Sequence, residues 1–126
     1  MIEIAEKHLV RKQCEAHGLK EEQMVVERDI VKKIISDYTR ESGVRSLDKH
    51  LAKLARSRAK EIAFEEQFEP SFTAEQIEKV LGKPKFRNDE YEIKDMVGVV
   101  TGLAWTQVGG DILYIESVLT PGKGKL

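Results

Sequence analysis

"SGVRSLDKHLAKLARSRAKEIAFE", residues Ser42 to Glu65, is the stretch on which the fold turns. At about 100° per residue, Val44, Leu47, Leu51, Leu54, Ala55 and Ile62 fall in one arc, the apolar face of a long amphipathic helix. Ser42-Gly43 closes the element before it, so this helix is expected from about Val44 to Glu65. Arg45, Lys49, Lys53, Arg56 and Lys60 share a second arc of roughly 80°. Asp48 and Glu61 project elsewhere, so the stripe has no carboxylate of its own. Arg58 falls between Leu47 and Leu51, inside the apolar arc. A stem packed on the core, with the head snorkelling to an acidic partner, is expected of it.

A first helix is expected from Glu3 to Ala16, with Ile4, His8, Leu9 and Cys14 near one face and His17-Gly18 closing it. Val25-Val26 reads as a small strand. A second helix, from about Arg28 to Glu41, carries Ile30, Val31, Ile34, Ile35 and Tyr38 as its apolar stripe. "FEPSF" is extended, since Pro70 disfavours helix at Glu69. Thr73 and Gln76 form a capping box for a fourth helix, Thr73 to Leu81, which Gly82 and Pro84 stop.

Beyond Gly82 the pattern changes. Residues 83–96 read as a linker, and "VGVVTGLAW" and "DILYIESVLT" as two strands joined around Gly109-Gly110. Val97, Val99, Thr101, Leu103 and Trp105 are expected to share a face. A lone hairpin is marginal in water, so one this apolar suggests the truncated start of a second domain.

Bulk properties narrow the function. The chain has 126 residues, 34% of them charged, and a formal net charge of -1. Whole-chain electrostatics therefore give no affinity for nucleic acid or membrane, and any such affinity must come from a local cluster. Cys14 stands alone, which excludes an internal disulfide and suits a reducing compartment. No apolar run approaches the roughly 20 residues of a membrane span. The start, "MIEIAEKHLV", lacks a signal-peptide layout. A soluble intracellular chain is the expectation.

Arg45 is the residue that helix physics explains least. It lies in a first helical turn, where the macrodipole favours an anion and opposes a cation. A helix N-terminus offers unpaired N–H groups, and a guanidinium beside it fits phosphate oxygens two at a time. The plainer alternative is a surface pair with Glu41 or Asp48, worth at most about 1 kcal/mol. The stripe of Lys49, Lys53, Arg56 and Lys60 poses a similar choice. It is a solvated face, a surface for an acidic neighbour, or a track for a nucleic-acid backbone. No aromatic residue interleaves it, so base stacking is not expected. His8, Cys14 and His17 lack the ligand number and pairing of a zinc site, and no metal site is assigned.

"YTRESGVRSLDKHLAKLARSRAKEIA" (Tyr38 to Ala63) closely resembles the tyrosine-threonine-arginine-glutamate, glycine-valine-arginine signature of Lon proteases. "VGVVTGLAWTQVGGDILYIESVLTPGKGKL" (Val97 to Leu126) resembles the opening of their proteolytic domain. "EIAEKHLVRKQCEAHGL" also matches their pattern, except that Arg11 stands where many relatives have proline, so this helix is expected to run straighter. The resemblance covers essentially the whole chain.

The resemblance implies a mainly α fold. A four-helix AAA+ lid subdomain with a small two-stranded β element would span residues 1–82, a linker 83–96, and a hairpin remnant of the protease domain 97–126. The parent would be an ATP-dependent serine endopeptidase using ATP with magnesium, cytoplasmic and of bacterial type. It would work as a homo-oligomeric ring on protein substrates. Arg45 maps onto the family's sensor-2 arginine, Tyr38 is expected to flank the nucleotide, and Lys49, Lys53, Arg56 and Lys60 are the expected DNA contacts. Docking of the stripe on a neighbouring subunit is the alternative. No segment matches G-x-x-x-x-G-K-[ST], and no Ser-Lys pair in a matching motif is present. The fragment itself is expected to bind no cofactor alone and to hydrolyse neither ATP nor peptide, with the large ATPase subdomain and the protease domain as its partners.

Overall fold

The structure is a computed structural model that describes residues 1–86, 97–106, 109–122 and 124, with Thr106 and Asp111 described by backbone alone. It divides into two compact units, Met1–Asn88 and Asp89–Leu126. The boundary thus falls inside the expected linker. Residues 87–96 of that linker lie outside the described residues. The first residues after Gly82 do not behave as a free tether: the Lys85 and Phe86 amides both donate to Asp37 O, at 2.9 and 3.0 Å.

In the first unit, helix α1 covers residues 2–16, α2 Arg28–Tyr38, α3 Arg45–Ala63 and α4 Ala74–Leu81. Its core joins Ala5, Leu9 and Cys14 of α1, Val31, Ile34 and Tyr38 of α2, and Leu47, Leu51, Leu54 and Ala55 of α3. Ile77 of α4, with Met24, Val26 and Phe72 from the connections, completes it. Each of the larger aliphatic side chains contributes roughly 1.5–3 kcal/mol by leaving water. The apolar arc of "VRSLDKHLAKLARSRAKEIA" is therefore the face that organises the unit.

Several boundaries move. Helix α2 stops at Tyr38 rather than Glu41, and Thr39 continues as extended chain while its hydroxyl donates to Ile35 O at 2.7 Å. Helix α3 stops at Ala63 rather than Glu65. Glu65 adopts a left-handed φ of 55°, its amide donates to Ile62 O, and the Glu66 amide donates to Glu61 O. That pair of bonds is a Schellman closure, built here without the usual glycine. The capping box of Thr73 and Gln76 forms as expected, with both reciprocal bonds present.

Helix α1 departs more. Ala5–Leu9 form a π turn between Ile2–Ile4 and Val10–Ala16. The stretch around Arg11 is regular helix, and the irregularity lies upstream of it. A π turn takes up one extra residue and rotates what precedes it by about 100°. Ile4 and His8 accordingly face solvent, while Ala5, Leu9, Gln13 and Cys14 are buried.

The β element of this unit reduces to one parallel bridge, Val25 to Ser71. The Val25 amide donates to Pro70 O at 2.8 Å and the Phe72 amide to Val25 O at 3.3 Å.

The second unit is an antiparallel hairpin of β1 (Val99–Thr106) and β2 (Gly109–Glu116). Thr106 pairs with Gly109, so Gly109 and Gly110, expected at the connection, belong to β2. Gly98, at φ 86°, accepts from the Ser117 amide at 2.7 Å; a Cβ there would stand 2.8 Å from Ser117 O. Val97, Thr101, Leu103 and Trp105 are exposed, and Val99 is partly covered.

Candidate functional site

Helix α3 begins at an unusual place. Its N-cap is Val44, which has no side-chain oxygen to satisfy the free amides of the first turn. The chain supplies one from three residues upstream. The Glu41 carboxylate accepts from the Ser46 amide through Oε2 at 2.9 Å and from the Leu47 amide through Oε1 at 3.0 Å. Burial pushes this carboxyl up, but the Ser46 and Leu47 bonds and the nearby His50 outweigh it and hold Glu41 below its ordinary value. The anion position at this N-terminus is thus filled from within.

Arg45 stands beside that cap and is exposed. Both alternatives to a ligand role are occupied otherwise. Glu41 is turned to the backbone, and Asp48 accepts from Lys12 Nζ at 2.9 Å and Gln13 Nε2 at 2.6 Å, tying α1 to α3. Arg45 makes no hydrogen bond or ion pair among the described residues.

Tyr38 is placed differently from the expectation. It is 3% exposed and its hydroxyl donates to Gly82 O at 2.8 Å, which pins the end of α2 to the end of α4. Its ring lies 5.8 Å from that of His50, and Tyr38 O lies 3.3 Å from His50 Nε2. Tyr38 therefore backs the start of α3 from inside the core and is not presented on the surface. His50, which no motif in the sequence marks, is the link between them. Burial lowers its pKa, with Lys53 and Lys85 acting the same way, against the opposing pull of the Tyr38 carbonyl.

Lys49, Lys53, Arg56 and Lys60 are all exposed on one side of α3. Lys60 Nζ approaches the Phe64 ring at 5.8 Å. The contrast with α1 and α2 is informative. There Lys7, Arg11, Lys12, Arg28, Lys32 and Lys33 each lie within 3.1 Å of a carboxylate. Among the described residues, no carboxylate pairs with the four cations of the α3 stripe. Among the described residues, the same helix thus carries a cation without a carboxylate partner at its start and a row of such cations along its outside.

Arg58 is buried, as its angle implied, and its head meets an acidic side chain, as expected, but it does so inside the core and not at the surface. It is 1% exposed, stacked between the Phe68 and Phe72 rings at 4.7 and 4.5 Å, with Nη1 3.1 Å from Glu61. Glu61 is the acidic partner that the head was expected to reach, and two aromatic rings enclose it as well. Near it, a cleft of about 480 Å³ is lined by Lys60 and Lys79 but also by Glu61 and Glu66, a balance that selects no ligand charge.

Among the described residues no three His, Cys, Asp or Glu side chains are grouped to hold a metal ion. Cys14 is buried and its thiol is pushed up by that burial, the opposite of a reactive thiolate. No described helix is long and apolar enough to cross a membrane.

Residues 15–80 match the family described as the Lon protease AAA+ ATPase lid domain, and residues 71–126 that of the Lon protease (S16) C-terminal proteolytic domain. The Lon protease of Flavobacterium johnsoniae is 51% identical over 125 residues, 99% of this chain and 15% of the relative. That of Parabacteroides distasonis is 47% identical over 123 residues, 98% of this chain and 15% of the relative. The solved Bacillus subtilis Lon protease SSD domain is 40% identical and superposes with a TM-score of 0.53, covering 68% of this chain and 90% of that one. The chain thus spans about 15% of the length of these curated relatives.

Proposed function

The chain belongs to the Lon protease family, and from that premise we propose that its first unit works as a nucleotide-sensing lid with Arg45 as the sensor-2 contact. The lid closes over ATP held by the large ATPase subdomain of the whole protein, and Arg45 meets the terminal phosphate. The observation that carries this reading is an exposed guanidinium whose two candidate partners in the sequence, Glu41 and Asp48, are engaged elsewhere. A cation in a first helical turn is opposed by the dipole; the Glu41 carboxylate offsets that in the free lid, and an arriving phosphate adds the direct partner that the guanidinium lacks among the described residues. Tyr38 serves the contact from behind, through His50, rather than touching the nucleotide.

ATP with magnesium belongs to the whole enzyme, a cytoplasmic bacterial serine endopeptidase that acts as a ring on protein substrates. Of that chemistry this chain supplies one phosphate contact. Hydrolysis then drives lid movement, and the fragment by itself turns over neither ATP nor peptide. In a Lon enzyme carrying this lid, Arg45→Ala lowers ATP turnover on the order of 100-fold while the lid stays folded. An unchanged turnover would sink the sensor reading.

The exposed row of Lys49, Lys53, Arg56 and Lys60, which no carboxylate among the described residues pairs, supports a second role, sequence-tolerant binding of a DNA backbone. Four phosphate contacts lose on the order of 100-fold in affinity between roughly 50 and 200 mM salt. Fluorescence anisotropy of a short labelled duplex with the chain measures this directly. Loss of binding on charge reversal at Lys53 and Arg56 supports a DNA site. No binding at low salt, with a weakened ring in the whole enzyme, assigns the row to subunit docking instead.

A further inference from the structure

We propose that Glu41 is the positioning residue for Arg45: its carboxylate, closed on the Ser46 and Leu47 amides, fixes where α3 begins and so where the guanidinium stands. The inference rests on the reading of Arg45 as a phosphate contact. Around this helix start the sequence offers competing registers. Ser42 and Ser46 are both better N-cap types than Val44. A helix capped by Ser46 would leave Arg45 outside the first turn, and one capped by Ser42 would make it the third helical residue instead of the first. Bonds from Glu41 to the second and third helical amides, Ser46 and Leu47, are made only in the observed register.

The carboxylate does two further things. Its charge lies at the positive end of the helix, where it offsets both the dipole and Arg45 itself, so the cation is tolerated in the free lid. It also takes up two amides that would otherwise compete for a phosphate, leaving the guanidinium as the group that meets the ligand. Glu41 is itself held from α2: Thr39 closes that helix on Ile35 O, and Arg40 lies over the Phe86 ring at 5.0 Å. The end of α2 is thereby connected to the position of Arg45.

The test compares Glu41→Ala, Glu41→Gln, Arg45→Ala and the double variant E41A/R45A in an ATP-hydrolysing Lon enzyme carrying this lid. Glu41→Ala is expected to lower ATP turnover about fivefold, the population change that loss of one helix cap produces. Glu41→Gln, which keeps one acceptor oxygen, falls between. In the Arg45→Ala background Glu41→Ala adds nothing further, because its effect runs through the residue already removed. Full turnover in Glu41→Ala beside an impaired Arg45→Ala overturns the positioning role alone, as does an additive double variant. Full turnover in Arg45→Ala overturns the sensor reading and this inference with it. In the 126-residue chain itself, Glu41→Gln must move the Ser46 and Leu47 amide resonances without unfolding the helix. Resonances that stay in place would mean that no cap exists, and would overturn the proposal without any enzyme assay.

Discussion

A guanidinium stacked between two phenylalanine rings sets the energetics of the lid's interior. Arg58 gains cation–π contact with Phe68 and Phe72 and one carboxylate, Glu61, but two of its nitrogens are buried without a hydrogen-bond partner. Burial lowers its pKa, and Glu61 only partly opposes that. A buried charge of this kind costs more to expose to a cavity than to replace by shape. Arg58→Ala is expected to destabilise the lid on the order of 3 kcal/mol, by cavity formation and by leaving Glu61 unpaired. Arg58→Met, which keeps the volume, costs under about 1.5 kcal/mol. Urea unfolding of the two variants separates them; equal losses would mean that the charge itself stabilises. The angle of Arg58 on α3 was legible in the sequence. Its aromatic sandwich was not, because Phe68 and Phe72 belong to a connection that no periodicity describes.

His50 makes the second prediction at this scale. Its folded-state pKa lies below its ordinary value of about 6.5. The folded lid therefore binds fewer protons than the unfolded chain in the window beneath that value. Stability from this group is complete above about pH 6.5 and is lost as pH falls toward the lower folded value. His50→Gln should flatten the profile of melting temperature against pH in that window. A profile equally steep in the variant would place the titration elsewhere.

Among the elements, helices were legible by their apolar spacing, and their ends were legible only where a local signal marks them. Thr73 and Gln76 announce α4 because both partners of the capping box lie within four residues. Ser42-Gly43 marks the start of α3 to within a residue, but not its cap, since Glu41 arrives from the preceding loop. That same demand explains why α2 stops at Tyr38: a helix running to Glu41 would carry the carboxylate away from α3. The π turn in α1 has no composition signal at all, and it shifted the expected buried face by one residue. At the other end of α3, a glutamate sits in the left-handed position where glycine would have marked a stop. Relief of that conformation exceeds the added freedom of the unfolded chain, so Glu65→Gly should stabilise the lid by about 0.5 kcal/mol. A lower melting temperature would show that the Glu65 side chain contributes more than its backbone costs.

Taken as a whole molecule, the two units differ in where their apolar residues go. Among the described residues, every buried hydrophobic side chain lies between Ala5 and Ile77. The hairpin does the opposite: Leu103 faces the same side as its partner Ile112, and Val100 the same side as Ile115, and all four are exposed, with Trp105 beside them. A two-stranded ribbon with apolar side chains open on both faces is marginal in water and promotes association. Alternation in the sequence disclosed one large face, Val97, Val99, Thr101, Leu103 and Trp105, against a face left small by Gly98, Gly102 and Ala104; Val100 and its partner Ile115 make that second face apolar too. The expected consequence is that residues 1–88 alone unfold cooperatively at the melting temperature of the 126-residue chain and sediment as a monomer. The full chain should associate as its concentration rises, and lysine at Leu103 and Ile112 should suppress that. Sedimentation velocity and thermal unfolding on the three samples decide it. A lower melting temperature for residues 1–88 would mean that the lid's core depends on residues 89–126, and association that survives both lysines would move its origin from the hairpin to the lid.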